Sequence, residues 1–124
     1  MAAEDVRIAD QFRAAVVAAV ATGDREAVYA LLDPDVEWVT PQRTLRGLDE
    51  MREQWTWGSA PETFDYTFEE GDWVDHGEGR LACDVRQAYL LKGTSDVAYE
   101  RNRRVELTLR DGKICRYELA FTGT

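Results

Sequence analysis

Three long stretches in the second half of the chain alternate apolar and polar residues, and no other feature narrows the fold as much. Leu81, Cys83, Val85, Gln87, Tyr89 and Leu91 share one parity, and Val97, Tyr99, Arg101, Arg103, Val105, Leu107 and Leu109 share a second. Cys115, Tyr117, Leu119 and Phe121 make the third. Successive side chains of a strand point to opposite faces, so a period of two over such lengths predicts strands with one buried face. Lys92-Gly93-Thr94-Ser95 and Asp111-Gly112 separate the stretches, the latter a strong two-residue hairpin signal. Phe64, Tyr66 and Phe68 alternate in the same way ahead of them, and His76-Gly77-Glu78-Gly79 reads as a turn.

The first half has a different period. Ile8, Phe12, Ala15, Val16, Ala19 and Val20 recur at helical spacing between Glu4 and Ala21, with Gly23 as a stop. Asp24 is the expected N-cap of a second helix, about Arg25 to Leu32, which Pro34 cannot continue. Val36, Trp38 and Thr40 then alternate as a short strand ended by Pro41. A loop through Arg46-Gly47 leads to a third helix, about Leu48 to Trp57, with Leu48, Met51 and Trp55 on one face. Helices followed by a meander give an α+β order: three N-terminal helices against a strongly curved, mostly antiparallel sheet. At 124 residues, with no linker or internal repeat, one domain over residues 1–124 is expected.

Charge and composition exclude several partners. With 15 basic and 24 acidic residues the net charge is −9, which repels phosphate backbones and anionic headgroups, so neither nucleic acid nor a membrane is an expected partner. The apolar run at 14–21 is too short to span a bilayer, and the acidic segment before it is unlike a secretory signal. Cys83 and Cys115 form no CxxC pair, which fits a reduced, cytoplasmic protein. His76 is the one histidine and falls in a turn, so no metal or other cofactor is expected.

Gly23 to Pro41, GDREAVYALLDPDVEWVTP, and the closing hairpin LTLRDGKICRYELAF, Leu107 to Phe121, resemble the SnoaL-like family of the nuclear-transport-factor-2-like superfamily. The resemblance covers nearly the whole chain. It implies a cone, in which a bent sheet wraps around the helices and leaves a pocket at the open end, and it tips the assembly toward a homodimer through the convex sheet face. The superfamily holds ketosteroid isomerase, polyketide cyclases, an epoxide hydrolase and members that only bind or dimerise, so the fold alone chooses no chemistry. Ketosteroid isomerases need an Asp base at the end of the first strand, a Tyr on the first helix and a protonated Asp on a later strand. Matching positions here carry Thr40, Val16 and Val105, which disfavours that enolisation and weakens any cyclisation relying on a pocket carboxylate.

Strand parity then predicts the pocket lining: Trp38, Thr40, Phe64, Tyr66, Phe68, Gln87, Tyr89, Tyr99, Arg101, Arg103, Tyr117 and Phe121. Trp55 joins them from the third helix, and Trp57 is free to line the mouth. This is an aromatic pocket with a basic rim, suited to a small apolar or aromatic ligand, with or without a carboxylate. Arg101 and Arg103 either form a fork for a carboxylate, enolate or phenolate, or lie outward at a frayed end or a bulge. Arg103 and Glu70 are the candidate catalytic groups, Glu70 keeping the parity of Phe68. Cys83 and Cys115 share the inward parity as small buried hydrophobes. Asp84 and Arg86 resemble an epoxide-hydrolase pairing but have outer parity, with Arg104, Glu106, Arg116 and Glu118. The leading expectation is a small-molecule-binding SnoaL-like protein, with or without lyase, isomerase or cyclase activity. A non-catalytic binding or dimerisation module and an epoxide-hydrolase-like hydrolase are the alternatives.

Overall fold

The computed structural model describes residues 2–55 and 64–123. Helix α1, Ala2–Thr22, buries Ile8, Phe12 and Ala19 of the stripe its periodicity predicts, with Ala9 buried beside them, and Gly23 closes it by donating to the Ala19 carbonyl at 2.8 Å. Helix α2 is only Glu26–Tyr29, shorter than expected, and Leu32 belongs instead to strand β1, Leu32–Val39. The sheet captures that segment. Leu32 pairs in parallel with Ile114, whose N–H donates to the Leu31 carbonyl at 2.9 Å. Pro34 is tolerated because the pairing is irregular between Leu32 and Glu37, where no ladder bond from its missing N–H is required.

Strand β2, Thr44–Arg46, replaces the expected loop and pairs antiparallel with β1. Helix α3, Gly47–Gln54, ends before the predicted Trp57, because Trp55 is already extended at φ −70° and ψ 115°. Trp57 lies outside the described residues. Strands β3, Phe64–Glu70, β4, Val74–Gly77, β5, Arg80–Leu91, β6, Val97–Arg110, and β7, Lys113–Gly123, complete the chain. The sheet order is β2-β1-β7-β6-β5-β3, with β4 also on β5, and every pairing is antiparallel except β1 with β7.

The hairpin signals hold with local corrections. Asp111 and Gly112 both have positive φ, 53° and 76°, as the tight β6–β7 turn demands. His76 is in β4 rather than in a turn, and the β4–β5 turn is confined to Glu78-Gly79. Gly79 sits against β6, where a Cβ would come within 2.5 Å of the Leu109 carbonyl oxygen. A register shift in β7 between the partners of Thr108 and Leu109 makes Cys115 the extra residue of a bulge. Ile114, fully buried, therefore takes the core position that parity assigned to Cys115.

The core is easiest to follow as rows across the concave face. Leu45, Trp38, Tyr117, Leu107 and Leu81 are successive cross-strand partners from β2 to β5, all buried. Trp38 and Tyr117 stack at 3.7 Å and 12°, Phe12 of α1 meets both rings at 6.0 and 5.8 Å, and Trp55 packs on Trp38 at 5.2 Å. This aromatic knot fixes the helices to the sheet. No helix among the described residues is long and apolar enough to cross a membrane.

Candidate ligand-binding cavity

Beyond the Trp38–Tyr117 row the concave face becomes hollow. Two further rows floor the hollow: Leu119, Val105 and Cys83, then Phe121, Arg103, Val85 and Glu70. The β5–β6 register runs unbroken from Leu81↔Leu107 to Tyr89↔Tyr99, so Arg101 and Arg103 keep the concave parity of Val105. A cavity of about 70 Å³ lies between this floor and α1. Phe12, Arg13, Val16 and Val17 line it from the helix, with Trp38, Tyr117 and Leu119 on one side and Phe68, Glu70, Trp73, Cys83, Val85, Arg103 and Val105 on the other. Glu70, Val85 and Arg103 also border a shallow groove of about 610 Å³, so that side of the cavity faces solvent.

The charged lining is built around one ion pair that sequence parity does not disclose. Arg13 Nε faces the Glu70 carboxylate, Arg13 Nη2 donates to the Gly71 carbonyl at 2.7 Å, and the guanidinium lies 4.9 Å from the centre of the Trp73 ring. Burial raises the Glu70 carboxyl above its ordinary 4.5, with Arg13 pulling the other way and Asp10 adding to the rise. Burial likewise raises the Cys83 thiol, against a hydrogen bond from Arg13. The Tyr117 hydroxyl is pushed up by burial, which outweighs the lowering field of Arg103. Arg13 could be suspected from sequence only by its place on the α1 face of Ala9, Val16 and Val17.

Across the cavity, Arg103 Nη2 donates to the Tyr89 hydroxyl at 3.0 Å, and its guanidinium carbon is 5.6 Å from the centre of the Phe121 ring. Tyr89 is buried and stacks on Tyr99 at 4.3 Å. Tyr99, Phe121 and Arg101 are exposed and form the rim, with the Arg101 guanidinium 5.6 and 5.0 Å from the two ring centres.

Several predicted lining residues do other work. Thr40 lies one residue past β1, and its hydroxyl donates to the Arg43 carbonyl at 3.0 Å, closing the turn to β2 rather than reaching the cavity. Trp55 is spent on the Trp38 and Tyr29 rings. Gln87 is fully buried behind the lining. Phe64 and Tyr66 stand in β3 opposite Leu91 and Tyr89, and their side chains lie outside the described residues. Asp84 and Arg86 are exposed on the outer face, where Arg86 pairs with Glu100 at 2.7 Å and Asp84 with Arg104 at 3.7 Å, and neither lines the cavity. Val16 and Val105, which the sequence resemblance matches to the ketosteroid-isomerase oxyanion positions, line it as apolar groups. No cluster of three or more His, Cys, Asp or Glu able to hold a metal occurs among the described residues.

A bent sheet closed over by an N-terminal helix, with a hollow between them, defines the cone-shaped α+β proteins of the nuclear-transport-factor-2-like type. The chain belongs to the SnoaL-like domain family, whose model matches residues 13–117. It is similar in structure to an NTF2-like protein from Anabaena variabilis, with a TM-score of 0.77 at 20% identity, covering 98% of this chain and 92% of that one. TerC, co-crystallised with polyporic acid, matches with a TM-score of 0.63 at 24% identity over 90% of this chain and 92% of its own. A Catenulispora acidiphila protein with a ketosteroid isomerase-like fold, in complex with trimethylamine, matches with a TM-score of 0.61 at 13% identity over 90% and 85%. No curated protein matches the chain in sequence.

Proposed function

We propose that this protein binds a small apolar or aromatic molecule in the cavity between α1 and the concave face. The observation that carries the reading is the lining itself: aromatic rings and valines surround a hollow whose charged groups are confined to its edges. An engineered cavity of about 150 Å³ takes a benzene ring. At about 70 Å³ this hollow admits part of a ring, with the rest directed toward the open side where Glu70 and Arg103 stand. The ligands named for TerC and for the Catenulispora protein support small-molecule binding by this fold. The test is a fluorine- or proton-detected NMR screen of single-ring and fused-ring compounds. Val16→Trp, which fills the hollow from α1, should abolish binding of every hit while circular dichroism stays native. Hits that bind Val16→Trp as well as wild type would place the ligand elsewhere and end the proposal.

A second reading, a lyase-, isomerase- or cyclase-type enzyme, is favoured by Glu70 alone. A carboxylate in the lining with its proton affinity raised by burial is suited to taking and returning a proton. Such an enzyme should exchange deuterium into the α-position of a bound aryl ketone, and Glu70→Gln should slow this at least about a hundredfold, the low end for a general base. Exchange that survives Glu70→Gln unchanged would remove Glu70 from the chemistry. The assembly we infer is a homodimer through the outer sheet face, whose alternating charges, Arg86 with Glu100 and Arg104 with Asp84 and Glu106, can be self-complementary across a two-fold axis. A monomer by sedimentation at low and high salt would refute it.

A further inference from the structure

Arg103 and Gln87 carry polar groups that are unmatched among the described residues. Gln87 is 0% exposed, yet neither its Oε1 nor its Nε2 has a hydrogen-bond partner among the described residues, and the buried Nε of Arg103 has none either. Buried donors and acceptors are nearly always paired, because leaving them unpaired forfeits their hydration without return. The two groups are also neighbours. Arg103 is the cross-strand partner of Val85 and reaches Tyr89, and Gln87 lies between Val85 and Tyr89 on the same face of β5, so the path from Arg103 to the Tyr89 hydroxyl runs past the Gln87 position.

The charge pattern bears on the same place. Arg13, Arg86, Arg104 and Arg116 each have a carboxylate within 4.0 Å, whereas among the described residues Arg101 and Arg103 have none. The one acid among the described residues that lines the cavity beside them, Glu70, is engaged by Arg13, so the charge of Arg103 is not cancelled by an ion pair. Phe121 flanks both guanidinium groups, and the partial burial of Arg103 strengthens its pull on an anion relative to the exposed Arg101.

Resting on the cavity reading above, we propose that Arg103 and Gln87 form an anion-recognising end of the cavity and that its ligand is an aromatic carboxylate. The ring enters among Trp38, Phe68 and Val105, and the carboxylate accepts from Arg103 Nε. Gln87, buried behind the guanidinium and outside the cavity lining, turns its amide toward the ligand oxygen on binding and supplies a second donor through Nε2. Arg101, at the rim, draws the anion in.

Benzoate and benzamide, nearly equal in shape, separate the two levels of the proposal when titrated by NMR against wild type, Val16→Trp, Arg103→Gln and Gln87→Leu. Benzoate should bind wild type about tenfold or more tightly than benzamide, as a charge-assisted pair requires. Arg103→Gln should remove that preference. Gln87→Leu should weaken benzoate several-fold while leaving the melting temperature equal or higher, since it deletes an unmatched buried amide; a purely structural glutamine would instead lower it. Equal binding of the two probes to wild type, both lost in Val16→Trp, would overturn the carboxylate inference and leave the cavity reading intact. Failure of benzoate to bind at all overturns the inference. The cavity reading fails with it only if the wider screen also finds no ligand displaced by Val16→Trp.

Discussion

Arg103 and Tyr89 are joined diagonally across the β5–β6 pair, Nη2 donating to the phenolic oxygen at 3.0 Å, and this one bond aims the guanidinium along the concave face. Without it the long side chain would be free to swing to the rim. The bond is half-buried, so its worth lies near the low end of the range for hydrogen bonds to charged groups.

Tyr89→Phe keeps the ring that stacks on Tyr99 and removes the hydroxyl that accepts from Arg103. The variant should lose about 1.5 kcal/mol of stability by urea unfolding. Its affinity for an anionic ligand should fall by a factor of about three to ten, the equivalent of roughly 1 kcal/mol of lost orientation. An unchanged affinity would mean that packing against Phe121 alone holds Arg103 in place.

Much of this arrangement is written in strand parity. Leu81, Cys83, Val85, Gln87 and Tyr89 do face inward, and the unbroken β5–β6 register carries that parity to Arg103, so the concave face could be read before the fold was known. Glu70 keeps the parity of Phe68 because β3 pairs regularly with β5 up to Glu70↔Val85. Three things escaped. Ile114 and Cys115 are both apolar, so nothing in the pattern marks which one a bulge removes from the core. Leu31 and Leu32 suit a helix as well as a strand, and only Ile114, far along the chain, decides between them. Arg13 reads as a solvated helical charge beside Asp10 until the fold brings Glu70 and Trp73 to it, across more than fifty residues of chain.

The Arg13–Glu70 pair gives stability a pH dependence of definite sign. Burial raises the Glu70 carboxyl above its ordinary 4.5, so in the window above that value the folded state holds this proton more firmly than the unfolded state does. The contribution is fully present below the unfolded value and is lost as pH rises through the folded one. Glu70 therefore favours folding less at pH 7 than at pH 4.5, even though Arg13 partly offsets the cost of its charge. Glu70→Gln removes the titrating group. Compared by urea unfolding between pH 4.5 and 7, wild type should lose stability relative to the variant as pH rises above the ordinary 4.5. Taking the difference between the two proteins cancels the general repulsion of a chain at net charge −9. A difference that stays flat across the window, or that grows in favour of wild type, would show that Arg13 outweighs burial and holds Glu70 as a settled carboxylate, unfit to carry a proton at the cavity edge.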